Sequence, residues 1–247
     1  MTELEVYRSN EIERAREADL MQRAGTGESV LDVGAYDGHF ARLLLQRYRR
    51  VVALDLEKPR VEGCENVAGN ATDLQFPDNT FDLVFCAEVL EHIPAVEKAA
   101  KELARVSKHR VLIGVPYRQD TRIGRTTCAE CGYIGPPWGH VNEFDEDRLR
   151  SLFTGLSVES IGYVGENCER TNALSTWLMD RGGDPWGDYR RTCLKCSSTL
   201  KPPPPRSPMQ RVMSGLAVRM NKLQAQFSKP HGNWIHVLFV KSKDNKA

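Results

Sequence analysis

The sequence predicts an α/β fold, a parallel sheet with helices on both faces. Short apolar runs of strand length alternate with helical segments over the first half of the chain, a pattern typical of parallel strands joined by crossover helices. Glycines stand at the turn between the first strand and the helix that follows it. With 247 residues, of which 40% are hydrophobic and 27% charged, the chain is long enough for one large core. We therefore expect a single domain over residues 1–247.

The individual elements follow from apolar runs and helical spacing. The predicted strands cover residues 29–33, 51–55, 81–86, 110–115, 156–163 and 234–240. The predicted helices cover residues 9–24, 40–48, 96–106, 145–153 and 208–228. The second of these helices is predicted to present one apolar face, made of Phe40, Leu43, Leu44 and Tyr48.

Two irregular segments interrupt the alternation of strands and helices. Residues 117–140 are rich in glycine, proline and cysteine, and residues 165–206 end in a run of prolines, which makes a stiff, extended linker. Neither segment shows the periodic apolar residues of a core of its own. We expect both to be inserts that cover the substrate as a lid.

Each insert carries one Cys-x-x-Cys pair. The four thiols belong to Cys128, Cys131, Cys193 and Cys196, and four thiolates complete a closed tetrahedral zinc site. The pairs are further apart than those of a single zinc ribbon, but each insert follows a strand that can bring it to the same side of the sheet. We predict a structural zinc site, with a redox pair or replacement of one thiolate by His140 as alternatives.

The composition favours a cytoplasmic protein. The chain has no apolar run long enough to span a membrane, and its charged N-terminus lacks the apolar core of a signal peptide. In the cytoplasm thiols are reduced or bind metals. Peripheral attachment to a membrane is the alternative location.

The C-terminal quarter is strongly basic, although the net charge of the whole chain is only +1. Residues 190–247 contain twelve Lys and Arg and one Asp. The apolar residues of the predicted helix 208–228 recur at helical spacing and are Met209, Val212, Met213, Leu216, Met220, Leu223 and Phe227. Such a helix can lie on an anionic membrane, face RNA, or pack on a partner subunit or on the protein's own sheet.

The first strand–helix turn has the composition of a ligand-binding loop. In Asp32-x-Gly34-x-x-x-Gly38 the glycines let the backbone approach a ligand, and a helix N-terminus follows. A dinucleotide-binding turn has Gly-x-Gly-x-x-Gly instead. Here an acid stands at the end of the strand, which suits a cationic sulfonium and amino group better than a pyrophosphate. Asp55 ends the second strand, where a carboxylate can bind both hydroxyls of a ribose.

Further motifs follow in order: Asn70-Ala71-Thr72-Asp73-Leu74, the segment 76–84 and the segment 88–93. Together with the glycine motif and Asp55 they make the sequence resemble the class I S-adenosylmethionine-dependent methyltransferases, over residues 25–163 and the last strand. This resemblance implies a Rossmann-like sheet of seven strands with the last one antiparallel. It also implies S-adenosylmethionine as the cofactor.

The resemblance also implies roles for individual residues. Gly34 and Gly38 would wrap the methionine part, Asp55 would bind ribose, and Asp73 would reach the adenine amino group. Tyr36 is a departure, since the family often has glycine there. The full cofactor-binding set is Asp32, Gly34, Ala35, Tyr36, Gly38, Asp55, Leu56, Ala71, Thr72, Asp73 and Glu88.

A second cluster of polar residues follows the strand at 81–86. Glu88, Glu91 and His92 fit on one helical turn, and His140 lies downstream. Carboxylates and imidazoles suit Mg or Mn, which lowers the pKa of a substrate hydroxyl, and the pattern is similar to that of metal-dependent O-methyltransferases. In the alternative without metal, Glu88 shapes the cofactor pocket and His92 packs or acts as a base.

Three functional hypotheses result. The first is an O-methyltransferase acting on a small molecule or a sugar, with His92, His140 and Glu91 as the catalytic candidates that handle the hydroxyl proton. The second is an RNA methyltransferase, favoured by the cysteine pairs and the basic C-terminal quarter. The third is a non-catalytic, zinc-stabilised binding module that keeps the cofactor fold. The sequence leaves the oligomeric state open.

Overall fold

A computed structural model describes residues 10–184, 187, 189 and 191–241, which divide into two compact units. The first unit holds the chain up to Tyr117, then Phe144–Gly165, then the chain from Gly232 onward. The second unit holds Arg118–Glu143 and Glu166–His231. Three of the predicted segments lie partly outside the described residues. These are residue 9 of the first predicted helix, residues 185, 186, 188 and 190 of the second insert, and residues 242–247 of the basic C-terminal quarter.

The first unit contains the seven strands of the main sheet and most of the described helices. Its strands are β1 (Gly27–Val33), β2 (Tyr48–Asp55), β3 (Glu65–Ala68), β4 (Phe81–Ala87), β5 (Ser107–Pro116), β8 (Leu156–Val164) and β9 (Trp234–Lys241). Its helices are α1 (Glu11–Ala24), α2 (His39–Leu44), α3 (Val96–Val106), α4 (Glu146–Leu152) and a short 3₁₀ helix, Leu90–His92.

The seven strands form one sheet in the order β3-β2-β1-β4-β5-β9-β8. Strands β1 to β5 pair in parallel, while β9 runs antiparallel to both β5 and β8. The strand order reverses between β1 and β4, and open α/β sheets bind ligands at the carboxyl ends of strands at such a reversal. The predicted Rossmann-like, mostly parallel sheet of seven strands with an antiparallel last strand is confirmed.

Alternate residues of the central strands bury opposite faces of the sheet. Leu31 belongs to the core cluster that also contains Leu103 of α3, whereas its neighbour Val30 belongs to the cluster that contains Leu20 of α1 and Ala41 of α2. Successive side chains of a strand point to opposite faces. Helices therefore cover both faces of the sheet, as predicted.

Two local predictions in the first unit were wrong. The helix predicted to reach residue 48 ends at Leu44, and Tyr48 begins β2 instead. Tyr48 pairs with Gly27 across the sheet, and its hydroxyl donates to the carbonyl oxygen of Ala24 at 2.6 Å. These partners are distant in sequence, so helical spacing cannot reveal them. Strand β3 was not predicted because this four-residue edge strand consists of two polar residues followed by Val67 and Ala68, and none of its residues is fully buried.

The second unit is built around two helices. It contains β6 (Thr126–Thr127), β7 (Ile134–Gly135), a 3₁₀ helix (Pro137–Gly139), α5 (Ala173–Gly182) and α6 (Pro208–Gln226). Helix α5 lies in the segment 165–206, so the prediction that this segment is irregular was wrong there. Its buried residues are Ser175, Met179 and Gly182, a set without the apolar periodicity that marks a helix in a sequence.

Helix α6 begins at a capping box, in which the Ser207 side chain accepts from the N–H of Gln210 and the Gln210 side chain accepts in return from the N–H of Ser207. It confirms the predicted helix 208–228 to within two residues at its end. Within the described residues, none of the helices has the length and apolar character needed to cross a membrane.

Candidate active site and cysteine cluster

The loop after β1 is a tight turn that requires glycine at two positions. Gly34 and Gly38 have φ values of +80° and +77°, which other residues rarely adopt. A Cβ at Gly34 would lie 2.1 Å from Cγ2 of Val89, and a Cβ at Gly38 would lie 2.2 Å from Cγ2 of Val61. The N–H of Gly34 donates to the carbonyl oxygen of Leu54 at 2.8 Å, which ties the loop to the end of β2.

Asp55 at the end of β2 is held by the same loop. Its Oδ2 accepts from the N–H of Tyr36 at 2.9 Å, and its Oδ1 accepts from the N–H of Leu56 at 2.7 Å. A carboxylate can accept about four hydrogen bonds, so both oxygens keep the capacity to bind ribose hydroxyls. Tyr36 has φ +41° and its side chain is 72% exposed. A strained residue of this kind at a strand end is typical of binding sites.

Asp32 lies one layer deeper, within β1, and is 2% exposed. Its Oδ2 is buried and has no hydrogen-bond partner among the described residues. Burial, reinforced by the charges of Asp55 and Asp37, raises the pKa of Asp32 to about 7. Three carboxylates therefore lie around one loop and create a negative potential there, which favours a cationic ligand.

The loop after β3 is a fixed turn organised by Asn70. Its Oδ1 accepts from both the N–H and the hydroxyl of Thr72 at 2.9 Å. Ala71 is buried, whereas Asp73 is exposed. Arg105 of α3 donates to the carbonyl oxygen of Leu74 at 2.8 Å and fixes the far end of the turn. The segment that the resemblance assigns to adenine thus has a rigid backbone with the Asp73 carboxylate at the surface.

Glu88, directly after β4, is paired with an arginine that the sequence analysis missed. Nη1 of Arg16, on α1, lies 3.5 Å from Oε1 of Glu88. The Arg16 guanidinium is buried and lies over the rings of Phe40 and Trp234, 5.8 and 5.4 Å from their centroids. Burial raises the pKa of Glu88, and the charge of Arg16 opposes that shift. Glu88 also has φ +59°, so this strand end is strained as well.

Other charged residues of α1 make similar contacts within the first unit. Oδ2 of Asp19 lies 2.6 Å from Nδ1 of His236, a fully buried residue of β9, and Oε2 of Glu17 lies 2.8 Å from Nε2 of His39. An ionised carboxylate only accepts, so Nδ1 of His236 carries the hydrogen. Burial lowers the pKa of His236, and Asp19 only partly offsets that shift. The sequence signal for this contact surface is the spacing of charges along α1 at three or four residues.

Glu91 and His92 lie in the 3₁₀ helix Leu90–His92 after β4. Glu91 is fully buried and His92 is half-buried. The N–H of His92 donates to the carbonyl oxygen of Val89 at 3.0 Å. Both side chains therefore stand beyond the carboxyl end of a central strand, where α/β folds place reactive groups. Their catalytic and metal-binding roles stay predictions.

His140 belongs to the second unit and is 8% exposed. Its Nδ1 lies 2.6 Å from Oε1 of Gln119. Because an amide oxygen only accepts, Nδ1 carries the hydrogen and Nε2 is the lone-pair nitrogen of the neutral ring. This tautomer suits a base or a metal ligand that acts through Nε2. Trp138, with φ +50°, places its ring centroid 5.8 Å from that of His140.

The sulfurs of the two Cys-x-x-Cys pairs meet in the second unit. Sγ of Cys128 lies 3.7 Å from Sγ of Cys196, and Sγ of Cys131 lies 3.7 Å from Sγ of Cys193. All four sulfurs lie within 4.8 Å of one another. Sulfurs at tetrahedral corners around a zinc ion, with Zn–S bonds of about 2.3 Å, are about 3.8 Å apart. The four thiols are free, and their arrangement has the dimensions of a four-thiolate zinc site.

The two pairs lie in turns of the same construction. In the first, the N–H of Gly132 donates to the carbonyl oxygen of Cys128 at 2.9 Å, and Gly132 has φ +69°. In the second, the N–H of Ser197 donates to the carbonyl oxygen of Cys193 at 2.9 Å, and Ser197 has φ +59°. The N–H of Lys195 lies 3.4 Å from Sγ of Cys193, a contact that stabilises a thiolate. Both turns are therefore shaped to present sulfur to a cation.

Comparisons with known proteins point to one family. Residues 31–113 match a family model described as a methyltransferase domain. The methyltransferase YcgJ of Bacillus subtilis, described as uncharacterized, is 35% identical over 173 residues, which cover 63% of this chain and 66% of that protein. Rv3030 of Mycobacterium tuberculosis, assigned as an S-adenosylmethionine-dependent methyltransferase, is 28% identical over 152 residues, 57% of this chain and 52% of that protein. This chain thus spans between about half and two thirds of the length of these relatives.

A solved structure shows the same fold. A Bacillus halodurans protein assigned as a methyltransferase matches with a TM-score of 0.62 and 17% identity, over 93% of this chain and 100% of that chain. At this level of identity the match demonstrates a shared fold and carries no information on the substrate.

Proposed function

Since this chain belongs to the class I S-adenosylmethionine-dependent methyltransferases, we propose that it transfers the methyl group of S-adenosylmethionine to a hydroxyl oxygen of a small molecule or a sugar. The observation that carries the cofactor assignment is the Asp55 carboxylate, which the N–H groups of Tyr36 and Leu56 fix at the end of β2. A carboxylate in that position is oriented to accept from two ribose hydroxyls at once.

The end of β1 fits the charge of the same cofactor. Oδ2 of Asp32 is a buried acceptor without a partner among the described residues, and the cofactor brings an ammonium and a sulfonium cation. Gly34 and Gly38 allow the loop that follows Asp32 to pack closely against Val89 and Val61. We assign the methionine part to Asp32 and the two glycines, ribose to Asp55 and the adenine amino group to Asp73.

Methyl transfer requires alignment more than activation, because the cofactor's sulfonium is already a good leaving group. The substrate oxygen forms its bond to the methyl carbon as the carbon–sulfur bond breaks, and the sulfur keeps that electron pair. Holding the three atoms in line accounts for much of the rate. The hydroxyl proton must go to a base, and the candidates we propose are His92 and Glu91 of the first unit and Nε2 of His140 of the second.

The proposal includes a divalent cation, Mg or Mn, as an aid to deprotonation. Its candidate ligands are Glu88, Glu91, His92 and His140, and such an ion lowers the pKa of a bound hydroxyl. Glu88 already forms an ion pair with Arg16 in the first unit. Glu91 and His92 are therefore the stronger ligand candidates of that unit. Without the ion, the imidazoles would take the proton directly.

We propose zinc for the cysteine cluster of the second unit. The sulfur separations and the two matching turns around Cys128 and Cys193 support this assignment. Four thiolates leave no open coordination position, so the ion would be structural. It would connect two chain segments, Arg118–Glu143 and Glu166–His231, that have little strand pairing between them.

The test uses methyl-labelled S-adenosylmethionine with a fractionated cell extract as the source of acceptors, with and without EDTA. We expect label in sugar, lipid or small-molecule fractions. Loss of label with EDTA, and its return on adding Mg or Mn while the zinc content stays constant, would support cation-assisted transfer. Label that persists in EDTA would support transfer with an imidazole base alone.

Two outcomes would replace the proposal. Label in nuclease-sensitive material would make the protein an RNA methyltransferase. Cofactor binding without label in any fraction would favour a zinc-stabilised binding module that retains the cofactor fold.

A further inference from the structure

The outer face of α6 presents large apolar side chains to solvent. Four of them lie on the helix and the fifth, Phe227, is its C-cap residue. In chain order they are 69%, 58%, 45%, 57% and 84% exposed, namely Met209, Val212, Leu216, Leu223 and Phe227. At about 100° per residue, they fall in a band about 60° wide that runs the length of the helix. We call these five residues the apolar stripe.

The inner face of α6 is made of small and polar residues. Its buried positions are Ser214, Ala217 and Asn221. The hydroxyl of Thr171 donates to Oδ1 of Asn221 at 2.9 Å, and a Cβ on Gly182 of α5 would lie 2.7 Å from the backbone nitrogen of Ser214. The helix thus packs by close backbone approach and polar contacts. Helices of globular proteins normally bury their large apolar residues, whereas the described residues of this unit leave the apolar stripe largely exposed.

Cations line one side of the apolar stripe. Arg211, Arg219 and Lys222 are exposed and lie about 50° to 130° from the centre of the stripe, all in the same rotational direction. The sequence contains no Asp or Glu between residues 189 and 243. Within the described part of the chain, the helix therefore combines an exposed apolar band with a positive flank that forms no ion pair.

We propose that this face of α6 docks on an anionic phospholipid surface. The apolar stripe would enter the boundary between headgroups and acyl chains, and Arg211, Arg219 and Lys222 would contact the headgroup phosphates. An amphipathic helix in the plane of a membrane binds in this way, through buried apolar area together with attraction to anionic lipids. The 19 residues of α6 extend about 28 Å along such a surface.

Other occupants fit the face less well. A second copy of the chain would cover the apolar stripe, but its own α6 region has no acid to neutralise the added positive charge. RNA would neutralise the cations, but it would leave apolar side chains against a polyphosphate. The stripe has a single aromatic residue, Phe227, whereas single-stranded nucleic acids bind on several stacked aromatic rings.

The test is co-sedimentation of the full-length chain with phosphatidylcholine vesicles that contain phosphatidylserine, compared with pure phosphatidylcholine vesicles, at low and high salt. Neither cofactor nor acceptor is added, so the result is independent of the proposed methyl transfer. We expect binding to the anionic vesicles that weakens as salt rises. Arg219→Gln with Lys222→Gln should weaken binding roughly thirtyfold.

A second variant tests the apolar stripe itself. Leu216→Ser with Leu223→Ser should weaken vesicle binding by roughly tenfold or more even at low salt, because less apolar surface is buried. Both leucines are exposed, so circular dichroism of the variant should match the wild type. Ile12→Ser, on α1 and 38% exposed, is the matched control and should bind as the wild type does.

Three results would overturn the proposal. The first is an absence of binding to anionic vesicles at low salt. The second is binding that the leucine variant leaves unchanged, because cations alone would then explain it. The third is a preference for another occupant: a dimer that the leucine variant dissociates, or RNA homopolymer that displaces the vesicles.

Discussion

Asp32→Asn is expected to stabilise the cofactor-free protein at alkaline pH while weakening cofactor binding. The Asp32 carboxylate is 2% exposed, and its Oδ2 has no partner among the described residues. Its pKa is raised from 3.8 to about 7. The folded state therefore binds more protons than the unfolded state between these two values, and the stability contributed by this group falls as pH rises through that window.

The size of the effect follows from the pKa difference. One pKa unit corresponds to about 1.4 kcal/mol, so ionised Asp32 reduces the free energy of unfolding by about 4 kcal/mol above pH 7. At about pH 5 the reduction is only about 1.6 kcal/mol, because the folded side chain is protonated there. Asn is neutral at both values. The stability difference between variant and wild type should thus be about 3 kcal/mol more favourable to the variant at about pH 8 than at about pH 5.

Urea unfolding of the cofactor-free proteins, followed by circular dichroism at both pH values, measures this difference. Any free-energy cost of packing the Asn amide is the same at both pH values. The pH dependence of the stability difference therefore reports on the ionisation of the Asp32 carboxylate alone. Saturating S-adenosylmethionine should reverse the order at pH 8, because the cofactor's cations stabilise ionised Asp32. If Asp32→Asn changes the free energy of unfolding equally at both pH values, Asp32 is not a buried carboxylate with a raised pKa, and the assignment is refuted.

Three further predictions concern other groups. Asp55→Ala should lower the affinity for S-adenosylmethionine roughly a hundredfold through loss of two charged hydrogen bonds to ribose, and unchanged affinity by calorimetry would reject the ribose assignment. Cys128→Ser should lower bound zinc and speed amide exchange in the second unit, whereas Cys168→Ser, outside the cluster, should not; full zinc content in Cys128→Ser would reject the four-thiolate site. Burial lowers the pKa of His236 below its ordinary 6.5, so its stabilising effect is present above that pH and is lost as pH falls. The free energy of unfolding should therefore fall more in the wild type than in His236→Asn between about pH 7 and pH 5. An equal fall in the two proteins, measured by urea unfolding, would contradict this.

The sheet was predictable because local sequence determines it. Helix α3 occupies Val96–Val106 as predicted, and its strong alternation of apolar and charged residues made it visible. The turn after β1 was predictable as well. Its backbone has φ values near +80° at Gly34 and Gly38, and because such values require glycine, the turn leaves a recognisable motif in the sequence. The position of Asp55 at a strand end followed from the apolar run before it.

The parts that escaped prediction depend on long-range contacts or on unusual packing. Tyr48 stands at helical spacing from the apolar residues before it, and only its contacts with Gly27 and Ala24 show that it belongs to a strand. Arg16 is one of several charged residues of α1, and their spacing of three or four residues does not identify Glu88 as its partner. Helix α5 buries Ser175, Met179 and Gly182, of which only Met179 is a large apolar residue, so apolar periodicity could not locate it.

The sequence left the placement of the apolar residues of α6 open between the protein's own sheet and an external surface. The five residues of the apolar stripe are exposed, so the packing within the second unit does not cover them. Helical spacing identifies the apolar band, but the neighbour that covers it is a matter of tertiary structure.

The central claim is that the loop after β1 and the carboxylate of Asp55 form a site for a sulfonium cofactor. Calorimetric titration of S-adenosylmethionine and, separately, of NAD into the cofactor-free protein tests it most directly. We predict saturable binding of one S-adenosylmethionine per chain, competition by S-adenosylhomocysteine, and no heat from NAD. Binding of NAD without binding of S-adenosylmethionine would contradict the account.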